Sequence, residues 1–165
     1  MTVFECEIQA RFRDVNLAGH VDNVEALRIV NEAQLLFLHV ADLDASPSGG
    51  ATSPLASGVP RAGLLSRAPD GIATLIGGQR VEYHAEMRFV PFQPFLVRQW
   101  VSRVGRSSFT IATELRVAPD RPPALVAAAT HVLWDTGADG AWTMEAPTRE
   151  LVERYLGDAP TFREI

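Results

Sequence analysis

The chain contains no lysine; every basic residue is an arginine. That absence excludes Schiff-base catalysis and the lysine of a phosphate-binding loop. Cysteine occurs once, as Cys6, so no intramolecular disulfide can form. Cys6 lies in a segment that reads as a strand and is expected to be a buried structural thiol. No apolar run approaches the ~18 residues of a membrane helix, and the first five residues lack the basic-then-apolar pattern of a secretory leader. A cytoplasmic location and no membrane partner are therefore expected. Basic clusters are missing too, and the net charge is −5, which argues against nucleic acid as a partner. The four histidines show no H-x-x-x-H spacing, and there is neither G-x-S-x-G nor a phosphate loop. No metal and no cofactor are expected.

What remains is an ordinary globular composition. The 165 residues are 47% hydrophobic, enough for one domain whose core needs no staples. Phe4–Phe12 alternates with period 2, as a half-buried strand does. Val24–Ala41 is too long for a strand and lacks Gly and Pro. It becomes apolar nearly all round, and predicts a helix buried at its C-terminal half. Asp22 or Asn23 is a natural N-cap, and Glu25 suits the first turn. Residues 42–71 are rich in Ser, Pro, Gly and Ala, and are expected to form a lid or insertion with short helical pieces around Arg61–Arg67. Strands are predicted over Ile72–Val90 with a bulge at Gly77–Gly78, over Phe95–Val104 and Ser107–Val117 as a hairpin, and over Ala124–Asp135. A short helix, Arg149–Leu156, follows Pro147–Thr148 and stops at Gly157. Strand, long helix, then four antiparallel strands is an α+β order whose simplest packing curls one sheet around the helix. Pairing of sheet edges between copies would remove an open edge.

The segment Arg11–Asn23 (RFRDVNLAGHVDN) resembles the opening motif of acyl-CoA thioesterases of the 4-hydroxybenzoyl-CoA type, D-x-D-x-x-G-[H/I/V]-V-x-[N/Y]. The following helix, Val81–Tyr83, Arg103–Phe109 and the closing strand with its turn at Asp135 are similar as well. The resemblance covers nearly the whole chain and implies a single hotdog domain, a long central helix wrapped by a curved antiparallel sheet. It also implies hydrolysis of a thioester by the motif's second Asp, beside an oxyanion hole made of helix-leading amides. Asn23 falls at the oxyanion position, with the amides of Val21–Val24 around it. The second Asp is replaced by Asn16, and an amide is neither nucleophile nor base near neutral pH. Asn16-Leu17-Ala18-Gly19 is similar to the Asn-Leu-x-Gly of thioesterases from enediyne polyketide pathways. Their assisting helix arginine is replaced here by Gln34.

Several residues are candidates to assist Asn16. Asp14 shares a face of an extended segment with it, though an ion pair or a turn would equally explain an Asp there. Asp22 and Glu25 start the helix, where a cap or a solvated charge is the alternative role. Glu32 lies farther along the helix. An imidazole titrates near neutral pH, which makes His20 a candidate base or positioning group. Asn16 can also simply close an Asx turn. Of the other histidines, His39 is expected to pack in the apolar helix end, and His84 and His131 to face solvent or an interface. Arg61, Arg67, Arg103 and Arg106 are candidates for CoA phosphates or for the acidic face of a carrier protein. The expected function is hydrolysis of an acyl-CoA or acyl-carrier-protein thioester by a homodimer or homotetramer. Binding of a thioester or other apolar ligand without hydrolysis is the alternative, and a hotdog dehydratase is a third.

Overall fold

The structure is a computed structural model that describes residues 1–44 and 62–163. Chain order is β1 (Phe4–Ile8), a 3-10 turn (Phe12–Asp14), α1 (Asn23–Leu35), a π turn (Leu36–Val40), β2 (Ile72–Tyr83), β3 (Phe95–Val104), β4 (Ser108–Arg116), β5 (Leu125–Asp135), β6 (Gly140–Ala141) and α2 (Ala146–Glu153). The strands form one antiparallel sheet of order β1-β3-β4-β5-β2, with β6 paired to β5. Alternate residues of the central strands are buried: Phe95, Val97 and Val101 in β3, Phe109, Ile111 and Leu115 in β4, Leu125, Ala127, Ala129 and Leu133 in β5. They pack on the helix face formed by Ala26, Ile29, Val30, Ala33 and Phe37. Period 2 meets period 3.6 along one apolar seam, which accounts for the curled sheet around the helix.

The structure corrects several element boundaries. β1 ends at Ile8 instead of Phe12, because its partner β3 begins at Phe95, opposite Ile8 and directly after Pro94. β2 ends at Tyr83 instead of Val90 for the same kind of reason. Tyr83 pairs with Leu125 at the start of β5, and Pro122–Pro123 just before it carry no N–H for a ladder. The register shift between Ile76 and Gly78 falls at the glycine pair read as a bulge. The helix is not buried nearly all round: Val24, Glu32, Leu35 and His39 are exposed. The exposed His39 therefore does not pack into the apolar end as expected. His131 also departs from expectation, facing the core with 3% exposure instead of solvent or an interface.

Of the proposed lid, 45–61 lies outside the described residues, and with it Arg61. Residues 62–67 form turns, not helical pieces. Gly63 N–H donates to Ala41 O at 2.7 Å and Leu64 N–H to Phe37 O at 2.9 Å, closing the last carbonyls of the π turn. Gly63 has φ +74°, and a β-carbon there would run into the backbone of Leu38 and His39.

Past α2 the chain returns to the sheet. Tyr155–Gly157 bonds to Val101 from both sides, and Trp100 Nε1–H donates to Asp158 O at 2.7 Å. Pro160–Arg163 then crosses the outer face to β2. There the Arg163 N–H donates to Glu82 Oε2 at 2.9 Å, and its guanidinium donates to Tyr83 O at 2.8 Å. Arg80 stacks over Phe162, 4.3 Å from the ring centre.

Candidate active site

Val15–Val21 folds into a narrow loop in front of α1. Val15 and Val21 bridge, Asn16 N–H donates to His20 O at 2.8 Å, and Gly19 turns the chain with φ +80°. The Asn16 side chain completes the turn. Its Oδ1 accepts from Ala18 N–H at 2.9 Å and from His20 N–H at 3.2 Å. Two backbone donors require the carbonyl end of the carboxamide to face inward, so the NH2 is the end left for a ligand. Asn16 as placed is therefore a hydrogen-bond donor.

Helix α1 begins two residues beyond this loop. Asp22 is the N-cap, its Oδ1 accepting from Val24 N–H at 2.9 Å. Among the described residues the N–H groups of Asn23 and Glu25 have no acceptor. These are the amides at which a helix start offers its positive end. Asn23 is exposed. Its carbonyl accepts from Tyr83 Oη at 2.9 Å, which ties the end of β2 to the helix start.

The acids singled out from sequence are engaged elsewhere. Asp14 is 1% exposed, receives Arg28 at 2.8 Å and lies 3.2 Å from the Arg11 guanidinium. Burial by itself raises its pKa, but the Arg11 backbone and side chain and the Arg28 charge outweigh that and hold the carboxyl below its ordinary value. Arg28 also bonds Glu25 at 2.7 Å and Glu32 at 2.8 Å. One arginine thus gathers Asp14, Glu25 and Glu32 on the flank of the helix, and Asp22 is committed to the cap. Gln34 is 2% exposed, and its Nε2 has no partner among the described residues.

His20 stands apart from that network. Its Nε2 lies 3.3 Å from a carboxylate oxygen of Glu86, in the segment that folds back after β2. Val21 N–H donates to Met87 O at 2.7 Å, and His20 and Arg88 form an isolated antiparallel bridge. Sequence reasoning missed Glu86, Tyr83 and Arg28. The continued alternation of Arg80–Phe89 disguised the fold-back that delivers Glu86.

Arg103 and Arg106 sit on and beside the tip of the β3–β4 hairpin, both exposed. The strand register puts that tip at the opposite end of the sheet from Phe95, Leu125 and Tyr83. One protomer therefore does not bring them to Asn16. Arg67 bonds Asp44 at 3.3 Å. Among the described residues no three His, Cys, Asp or Glu are grouped to hold a metal, and no helix is long and apolar enough to cross a membrane. Cys6 is buried, and burial, helped by the Glu32 charge, pushes its thiol up to about 12.

The family model of the thioesterase-like superfamily matches residues 10–153. No curated protein matches the sequence. Among solved structures, a thioesterase superfamily protein from Jannaschia sp. CCS1 superposes with TM-score 0.70 at 15% identity, over 94% of each chain. The PA5185 protein of Pseudomonas aeruginosa gives 0.67 at 17%, over 97% of this chain and 94% of its own. A 1,4-dihydroxy-2-naphthoyl-CoA thioesterase from Synechocystis gives 0.65 at 16%, over 91% and 95%. At such identities the superpositions speak for the hotdog fold, and the family match speaks for descent. The chain belongs to the thioesterase-like superfamily.

Proposed function

We propose that the protein hydrolyses an acyl thioester carried by CoA or by an acyl carrier protein. The observation that carries this reading is a set of three donors without acceptors among the described residues: the Asn16 NH2 and the N–H groups of Asn23 and Glu25, within one loop and helix start. Such donors suit the negative charge that develops on a thioester carbonyl oxygen. Asn16 polarises the carbonyl, and His20 takes the proton of the attacking water, since the nearby acids are tied to Arg28 or to the cap. The likeness to a naphthoyl-CoA thioesterase makes CoA esters the first substrates to try.

A homo-oligomer fits the exposed apolar residues Leu17, Val24, Leu75 and Ile76 beside the edge strand β2. In such an assembly Arg103 and Arg106 reach the phosphates of a ligand bound to a neighbouring copy.

Asn16→Asp tests the reading. A carboxylate accepts the same two backbone N–H groups, so the loop persists. Turnover of a panel of acyl-CoAs should rise by about 100-fold or more once a carboxylate occupies this place. The second reading, a thioester-binding domain without hydrolysis, is favoured by the occupied Oδ1 of Asn16. Wild-type protein that binds an acyl-CoA but leaves it and the carrier-linked ester intact, with hydrolysis only in Asn16→Asp, would establish that second reading instead.

A further inference from the structure

Where β2 gives out at Tyr83, the chain turns back across the Asn16–His20 loop, and the two stretches zip together. Val21 N–H bonds Met87 O at 2.7 Å, and Phe89 N–H reaches Gly19 O at 3.4 Å. His20 and Arg88 occupy paired positions of this short ribbon. The contact between His20 Nε2 and Glu86 Oε2, at 3.3 Å, is thus set by backbone pairing on both sides. The imidazole is 23% exposed and the carboxylate 64%. Arg88 approaches the same Glu86 oxygen at 3.6 Å. Glu86 and Arg88 are the charged groups in contact with this pair among the described residues.

We propose that Glu86 is the positioning residue for His20, keeping the ring proton on Nε2 so that Nδ1 carries the lone pair that accepts the proton of the attacking water. This rests on the hydrolase reading above. A carboxylate only accepts, so a proton on the ring nitrogen facing it is favoured over a lone pair there, and the neutral ring then keeps Nδ1 free as base. The same carboxylate steadies the imidazolium once it forms, the role an acidic partner has behind any catalytic histidine. In the reaction, water oxygen bonds to the carbonyl carbon and its proton passes to Nδ1. The tetrahedral intermediate then breaks its C–S bond, and the proton returns to sulfur. Products are a carboxylic acid and a thiol, with nothing oxidised or reduced. A motif that has lost its carboxylate thereby keeps a base in the same loop, His20, whose acidic partner comes from beyond the end of β2.

The test uses the full chain with Glu86→Gln, Glu86→Asp and His20→Gln. Imidazole 15N spectra, assigned by loss of the His20 signals in His20→Gln, report the tautomer. The wild type should show Nδ1 unprotonated in the neutral ring, and Glu86→Gln should move the tautomer balance away from the Nε2–H form. Against acyl-CoA substrates Glu86→Gln should lose about ten- to a hundredfold in kcat at little cost in KM. Glu86→Asp should recover part of the loss. An unchanged tautomer in Glu86→Gln overturns the proposal. If His20→Gln abolishes turnover while Glu86→Gln leaves kcat and pH profile alone, Glu86 falls and the histidine stands. Full activity in His20→Gln, or a wild type inert on every ester, instead defeats the hydrolase reading and the proposal with it.

Discussion

The chemistry of Asn16 turns on which end of its carboxamide faces the loop, an orientation set by the fold around it. The inward carbonyl depends on two backbone donors, Ala18 and His20, whose positions come from the loop's own turn. Glu86 was invisible for a different reason, since a pair 66 residues apart in sequence carries no local signal. His131 shows a third kind of gap. Its place in an alternating strand was plain, but the side it faces was not. It is stacked on Phe109 with ring centres 5.8 Å apart, and neither ring nitrogen has a partner among the described residues. Burial first, and the neighbouring His39 second, lower its pKa from 6.5 to about 4. Between those values the unfolded chain binds a proton that the folded one refuses, so folding stability rises with pH from about 4 to 6.5. His131→Phe should flatten that part of the stability curve, removing up to about 3 kcal/mol of pH dependence. Urea titrations at pH 4.5 and 7 check it, and an unchanged slope would place the imidazole in contact with water.

Elements were read well where a partner strand was also readable. The β3–β4 hairpin and β5 stand within a residue or two of expectation, because pattern and turn chemistry agree there. The misreadings of β1 and β2 share one cause. Alternation continues in the sequence, but Pro94 and Pro122–Pro123 stand where the neighbour would have to continue the ladder. Pattern belongs to one strand, whereas pairing needs two. The helix was read as buried on most sides because its apolar count is high, though Leu35 and Val24 lie on the open side. The π turn at its end is held by Gly63, a position that only a residue without a β-carbon can fill at this backbone distance. Gly63→Ala should lower Tm by roughly 5–10 °C through both the positive φ and the collision with Leu38. Thermal unfolding followed by circular dichroism gives the answer, and a loss below 1 °C would mean that the 62–65 turn does not brace the helix.

At the scale of the molecule, the sheet is bound together by chain that comes after it. Glu82 is the anchor. The Arg163 N–H, opposed by burial and joined by Arg80 and His84, carries its pKa from 4.5 down to about 2. A lowered folded pKa stabilises above the unfolded value and ceases to do so as pH falls through the folded one. The stability difference between wild type and Glu82→Gln should therefore be full at pH 7 and shrink between about 4.5 and 2. Urea unfolding across that range measures it, and a gap that persists at pH 2 would show that charge is not what holds the tail. The same tail runs from Trp100 to Tyr83, and Tyr83 in turn grips the first carbonyl of α1. A protease that nicks the 158–163 stretch would loosen Tyr83, and through it the start of α1, before it touched any strand.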